Sequence, residues 1–168
     1  MRRVPAPVLP WSSDILALVA VIAIGDAAPL VPGATFEQGP VALVFYKVTC
    51  PVCQMAAPKV DSMARAYPGR VVGIGQDPPD ELERFGREFG MDVPAVVDLP
   101  PYDVSNAYGI ETVPTLFVID GAGKVADAVI SWDRAGYNRA SARLAEFLGV
   151  EPATVSDSSD GLPPFRPG

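Results

Sequence analysis

Both cysteines of the chain fall in one stretch, YKVTCPVCQM, where Cys50 and Cys53 stand two residues apart directly behind the apolar run VALVF. Three chemistries use thiols spaced this way: a metal site, a peroxide-reducing centre, and a dithiol that trades electrons with other disulfides. A four-thiolate zinc site needs two more cysteines, which only a second chain could bring. The complete lack of histidine removes mixed Cys/His metal sites together with Ser-His-Asp and Cys-His catalysis. A C-x-x-C pair that opens a helix has a different use. Residues three apart on a first helical turn share a face, so the two sulfurs lie within reach of each other. Two buried cysteines that are merely neighbours remain the plain alternative, and a soft copper(I) ion held by Cys50, Cys53 and Met55 is a further one.

The pair needs a strand before it and a helix behind it, and the sequence supplies both. VALVFYKV (41–48) is a near-continuous run of apolar, β-branched and aromatic residues, which predicts a strand covered on both faces, as found in α/β layers. CPVCQMAAPKVDSMARAY predicts a helix with Cys50 near its cap and Pro51 in the first turn, where a missing N–H does no harm; Pro58 inside it predicts a kink. RVVGIG (70–75) reads as a second buried strand, PDELERFGREFG (79–90) as a helix stopped by Gly90, and PAVVD (94–98) as a short third strand. PYDVSNAYGI has one or two helical turns. TLFVID (115–120), the turn GAGK and VADAVIS (125–131) make a hairpin, and DRAGYNRASARLAEFLG (133–149) is a closing helix with Tyr137, Leu144, Phe147 and Leu148 as its apolar stripe. This order predicts an α/β fold, a mixed central sheet with helices on both faces.

A length of 168 residues, 49% of them apolar, suits one globular domain whose core needs no disulfide staples. Thirteen basic residues against 20 acidic ones give a net charge of −7, and the basic residues are scattered, which argues against nucleic acid or an anionic membrane as a partner. The chain divides into an arm and apolar segment (1–24), a domain (25–149) and an acidic, Pro/Ser-rich tail (150–168) expected to be disordered. Within the first part, ILALVAVIAI (15–24) is too short to span a bilayer but has the length of a signal-peptide core, with Arg2 and Arg3 as its charged front. Asp14 against the run and the long gap after Arg3 fit that pattern poorly. Packing on the domain is therefore preferred and the cytosol slightly favoured, with export or anchoring through 15–24 left open. A monomer is expected.

With these elements in place the sequence resembles the thioredoxin-fold redoxins, in the branch of the TlpA-like thiol-disulfide oxidoreductases and the AhpC/TSA-type peroxiredoxins. The strand leading into CPVC, Pro58 five residues past Cys53, TVP at 112–114 ahead of the next core strand, and the additional helix and strand at 79–98 carry the resemblance. It covers about residues 25–149, and GDAAP (25–29) resembles the segment with which such domains begin. The resemblance implies a thioredoxin-like fold with the helix–strand insertion of redoxins, no cofactor beyond a redox-active Cys50–Cys53 disulfide, and Pro114 in a cis peptide bond against it. It makes Cys50, Cys53 and Pro114 the catalytic residues and sets Val113, Thr112, Thr49, Pro51 and Val52 toward the substrate.

In that scheme Cys50, favoured as a thiolate by the helix N-terminus, attacks a target disulfide; Cys53 releases it; and the Val113 backbone offers an edge for pairing. The implied partners are protein or small-molecule disulfides and an unidentified thiol or reductase that supplies electrons. Pro51 and Val52 bring neither charge nor a side-chain hydrogen bond, so a reductase is expected rather than an oxidant. The chain departs from its relatives at Val44, where thioredoxins bury an acid, and at Ala56, where TlpA-like proteins often carry a glutamate, so another group or water must carry the Cys53 proton. A peroxiredoxin-type peroxidase is the alternative. Its P-x-x-x-T-x-x-C pattern is missing, since Thr49 directly precedes Cys50 and lies four residues before Cys53.

Overall fold

The sheet is built around β1, Val41–Tyr46, every residue of which is buried. In the computed structural model, which describes residues 21–34 and 38–168, side chains alternate along this strand. Ala42, Val44 and Tyr46 enter one apolar cluster, and Val41, Leu43 and Phe45 enter a second on the opposite face. A run that is apolar at every position is what a doubly covered central strand requires. β1 pairs in parallel with β2 (Val71–Gly75), and β2 in parallel with β3 (Ala95–Val97). On its other side β1 is antiparallel to β4 (Thr115–Ile119), and β4 to β5 (Val125–Ile130), giving the order β3-β2-β1-β4-β5. The parallel neighbours are joined through α1 (Pro51–Ala66) and α2 (Pro79–Phe89), as parallel crossovers require. The β4–β5 turn is closed by Asp120, whose Oδ1 accepts from the Ala122 and Lys124 N–H groups, both at 2.9 Å.

Helices cover both faces, as predicted. Val60 of α1, Leu82 and Phe85 of α2, and Tyr137 and Leu144 of α4 (Arg134–Leu148) fill the first cluster. The second is closed by Val31 and by Val104 of the short α3 (Asp103–Ala107), with the rings of Phe45, Tyr108 and Phe117 packed at tilted and edge-on angles, their centroids 5.1 to 5.9 Å apart. Gly90 and Gly149 end α2 and α4 with φ of 72° and 66°, the left-handed stop that glycine takes without strain. α1 runs unbroken through Pro58, whose ring is exposed.

Residues 150–168, expected to be disordered, are instead fastened to the domain. The Ala153 N–H donates to the Tyr67 hydroxyl (2.8 Å), and the Val155 and Ser156 N–H groups donate to Asn138 Oδ1 (2.8 and 3.1 Å). Asp160 forms an ion pair with Lys59 of α1 at 2.8 Å, and Val155 is buried in the first cluster. A two-stranded ribbon completes the attachment, β6 (Trp132–Asp133) with β7 (Phe165–Arg166). Composition counts these polar residues as solvated because it does not register that Ser156 and Asp160 find partners on α1 and α4.

The apolar segment 15–24 lies largely outside the described residues. At its end Val21 and Ile22 pack on the second cluster, and the Ile22 N–H donates to the Tyr108 carbonyl at 3.2 Å, while Ile24 is exposed. Among the described residues no helix is long and apolar enough to cross a membrane.

Candidate active site

β1 ends at Tyr46 and α1 begins at Pro51, so Lys47 to Cys50 carry the chain from the sheet to a helix N-terminus. Cys50 is the N-cap, extended at φ −84° and ψ 114°, and its Sγ takes the capping role, accepting the Cys53 N–H at 3.2 Å. The Cys50 thiol in turn donates to the Val113 carbonyl at 3.3 Å. Both cysteines are free thiols; Cys50 is half-buried and Cys53 buried. Burial, reinforced by a hydrogen bond with Cys50, pushes the Cys53 thiol far above its usual range, so it keeps its proton at neutral pH. The Val113–Pro114 peptide is cis, as expected; the Pro100–Pro101 bond, which the sequence did not single out, is cis as well.

The remaining expected site residues divide. Val113 meets Cys50 directly, Pro114 is buried behind it, and the Thr112 carbonyl accepts from Thr115 Oγ1 at 2.8 Å. Thr49 and Pro51 are exposed beside the thiols. Val52 is a correction: it was expected to face the substrate, but it is 5% exposed and packs in the first cluster with Cys53, because the second helical residue points inward where the first points out. Tyr46 is buried against the Phe85 ring at 5.3 Å. Burial, and behind it the charges of Asp77 and Cys53, push its phenol up to about 12.

Two polar residues of the site were not foreseen. Asp77 is buried, its Oδ2 accepts the Val48 N–H at 2.8 Å, and its charge acts on Cys53 and Tyr46. It follows β2 as Cys50 follows β1, and in the register of these parallel strands Tyr46 lies beside Gly75. The tendency of functional groups to gather outside the carboxyl ends of parallel strands is the signal that would have found it. Tyr137 is fully buried against Trp132, its hydroxyl has no partner, and burial first, then Cys53 and Cys50, push its phenol well above the usual range. The sequence places it in an apolar stripe, and its ring does pack as part of one. Among the described residues no three Cys, Asp or Glu side chains cluster closely enough to hold a metal ion.

Strand order, crossovers and the dithiol at the head of α1 place the chain in the thioredoxin-like fold class. The thioredoxin domain of a thiol-disulfide oxidoreductase from Bacteroides vulgatus shares this fold at a TM-score of 0.61 and 19% identity, over 73% of this chain and 99% of that one. A thiol:disulfide interchange protein of the thioredoxin family from Chlorobium tepidum shares it at 0.54 and 21%, over 73% and 94%. Residues 30–128 match the AhpC/TSA family, and the chain belongs to it. Among curated relatives, the thiol-disulfide oxidoreductase ResA of Geobacillus thermodenitrificans is 33% identical over 88 residues, 49% of either chain. The methylamine utilization protein MauD of Methylorubrum extorquens is 32% identical over 116 residues, 61% of this chain and 55% of its own. The chain spans about half the length of the curated relatives it matches.

Proposed function

We propose that the chain is a thiol-disulfide oxidoreductase that acts as a disulfide reductase through Cys50 and Cys53. One observation carries the reading: Cys50 Sγ caps α1, accepts the Cys53 backbone N–H, is hydrogen-bonded to the Cys53 thiol and points at the Val113 carbonyl, so nucleophile, resolving cysteine and backbone edge meet at one atom. The Cys50 thiolate attacks a sulfur of a substrate RS–SR′, forming Cys50–S–SR and expelling R′S⁻, which takes up a proton. Cys53 then gives up its proton, attacks Cys50 Sγ and expels RS⁻, which is protonated in turn. The substrate has gained two electrons and two protons; the protein has lost them and closed the Cys50–Cys53 disulfide. An external thiol or reductase restores the dithiol. The substrates are protein or small-molecule disulfides, a class supported by the thiol-disulfide oxidoreductases among the relatives. Pro51 and Val52 add no charge to favour the reduced thiolate, which supports the reducing direction.

Replacing Cys53 with serine is the test. Cys53→Ser should accumulate covalent adducts with disulfide substrates that dissolve in excess reductant, and Cys50→Ser should trap none. Equal behaviour of the two variants would remove the assigned roles. Hydrogen peroxide should be consumed no faster than by a free thiol, because among the described residues the donors to Cys50 Sγ are the amide and thiol of Cys53, and the P-x-x-x-T-x-x-C set that polarises a peroxide is missing from the sequence. Fast, saturable peroxide turnover lost in Cys50→Ser would assign a peroxidase instead.

A further inference from the structure

Strand β7 leads directly to the backbone edge beside Cys50. The Trp132 indole N–H donates to the Pro163 carbonyl at 2.7 Å and the Arg134 N–H to the Pro164 carbonyl at 2.9 Å, after which Phe165 and Arg166 pair with Asp133 and Trp132. Two residues on, the Gly168 N–H donates to Ser131 Oγ at 3.1 Å. The α-carbon of Gly168 then lies so close to the proline loop that a side chain on it would begin 2.1 Å from the Val113 carbonyl oxygen and 2.9 Å from Thr112 Oγ1. This is the carbonyl that accepts from the Cys50 thiol. Ser131 sets the spacing: it is buried, its φ is +68°, its N–H donates to the Pro114 carbonyl at 2.8 Å and its hydroxyl holds Gly168. A left-handed serine is uncommon and persists where its surroundings impose it.

An extended protein segment carrying a disulfide docks by backbone pairing, and the edge next to Cys50 is Val113, whose N–H has no partner among the described residues. Gly168 stands against that edge. A low-molecular-weight disulfide brings no strand and needs only Cys50 Sγ. On the basis of the reductase reading above, we propose that residues 165–168 occupy the docking edge of the Cys50–Cys53 centre and set its substrate class: compact small-molecule disulfides are admitted, and extended protein segments are excluded until the segment is displaced. The chemistry is the two-step exchange already written, with RS–SR as the electron acceptor and two RSH as the products. Displacement is local, because β7 is two residues long and exposed, whereas the Asp160 and Pro163 anchors lie upstream of it.

The experiment mixes pre-reduced protein, freed of reductant, with insulin or with glutathione disulfide and follows the loss of free thiol. Deleting residues 165–168 keeps the Trp132 and Arg134 hydrogen bonds, and should speed reaction with insulin by about fivefold or more while leaving glutathione disulfide within about twofold, as removal of a competing occupant predicts. Should the deletion fail to fold, Gly168→Val lifts the same segment by steric contact and should act in the same direction. An insulin rate that is unchanged or lower, or a rise shared equally by both substrates, overturns the cover and leaves the reductase standing. An intact chain that reacts with neither disulfide overturns the reductase reading, and the cover falls with it.

Discussion

Asp77 is the residue through which the second half of the exchange must be considered. Cys53 has to lose a proton that burial holds firmly, and neither Val44 nor Ala56 can receive it. Asp77 is a buried carboxylate whose field reaches Cys53, and only one of its oxygens is engaged by the Val48 N–H. Its charge alone opposes ionisation of Cys53, so an Asp77→Asn change that acted through charge would ease deprotonation and speed product release. A carboxylate that accepts the proton gives the opposite sign. Asparagine can still accept from Val48 but cannot take up a proton. The expected outcome is a mixed disulfide whose lifetime lengthens by roughly a hundredfold or more, the lower end of general-base contributions. Stopped-flow measurement of release across pH 6 to about 9 checks it, the upper limit being the usual thiol range. Faster release in Asp77→Asn would exclude the proton-accepting role.

At the scale of elements, the segment after α4 is held by a small hydrogen-bond junction at the end of α1. The Tyr67 hydroxyl lies 2.7 Å from Ser141 Oγ and accepts the Ala153 N–H at 2.8 Å, and the Ser141 hydroxyl donates to the Ala153 carbonyl at 2.7 Å. Tyr67→Phe keeps the ring but removes the partner of a part-buried N–H. It should cost about 0.5–1.5 kcal/mol of unfolding free energy, the net worth of an ordinary hydrogen bond, and should raise amide exchange at residues 153–156. A change within about 0.5 kcal/mol, the range of an ordinary surface substitution, would show that the junction does not hold the segment. The same junction shows what a sequence can reveal. β1 was legible because a short run apolar at every position and rich in β-branched and aromatic residues suits a strand covered twice, α2 because Gly90 stops it, and the dithiol because a strand precedes it and a helix follows. The attachment of 150–168 was not legible: Tyr67, Ser141 and Ala153 come together over separations of 74 and 86 residues, and no local pattern records such a pairing. Asp77 escaped for the same reason, 29 residues from the Val48 amide it binds.

For the whole molecule, the buried thiol ties folding to pH. Cys53 in the folded dithiol form keeps its proton well above the usual thiol value of 9.0, chiefly through desolvation. Below that value folded and unfolded chains both hold the proton, and its contribution to stability is fully present. Above it the unfolded chain releases the proton while the folded chain retains it, so stability falls as pH rises toward the folded value. Comparing Cys50→Ser with Cys50→Ser/Cys53→Ser isolates this proton, since neither variant can form the disulfide and the two differ only at Cys53. The buried tyrosines Tyr46, Tyr108 and Tyr137, whose phenols are also raised by burial, are present in both and titrate on top of this effect. The single variant should therefore lose stability relative to the double variant between about pH 8 and pH 10, the window that opens around the unfolded thiol's titration. Thermal unfolding across that window checks the sign. A stability difference that stays constant with pH would mean that the Cys53 thiolate is solvated in the folded protein, and the resolving step would then need no buried base at all.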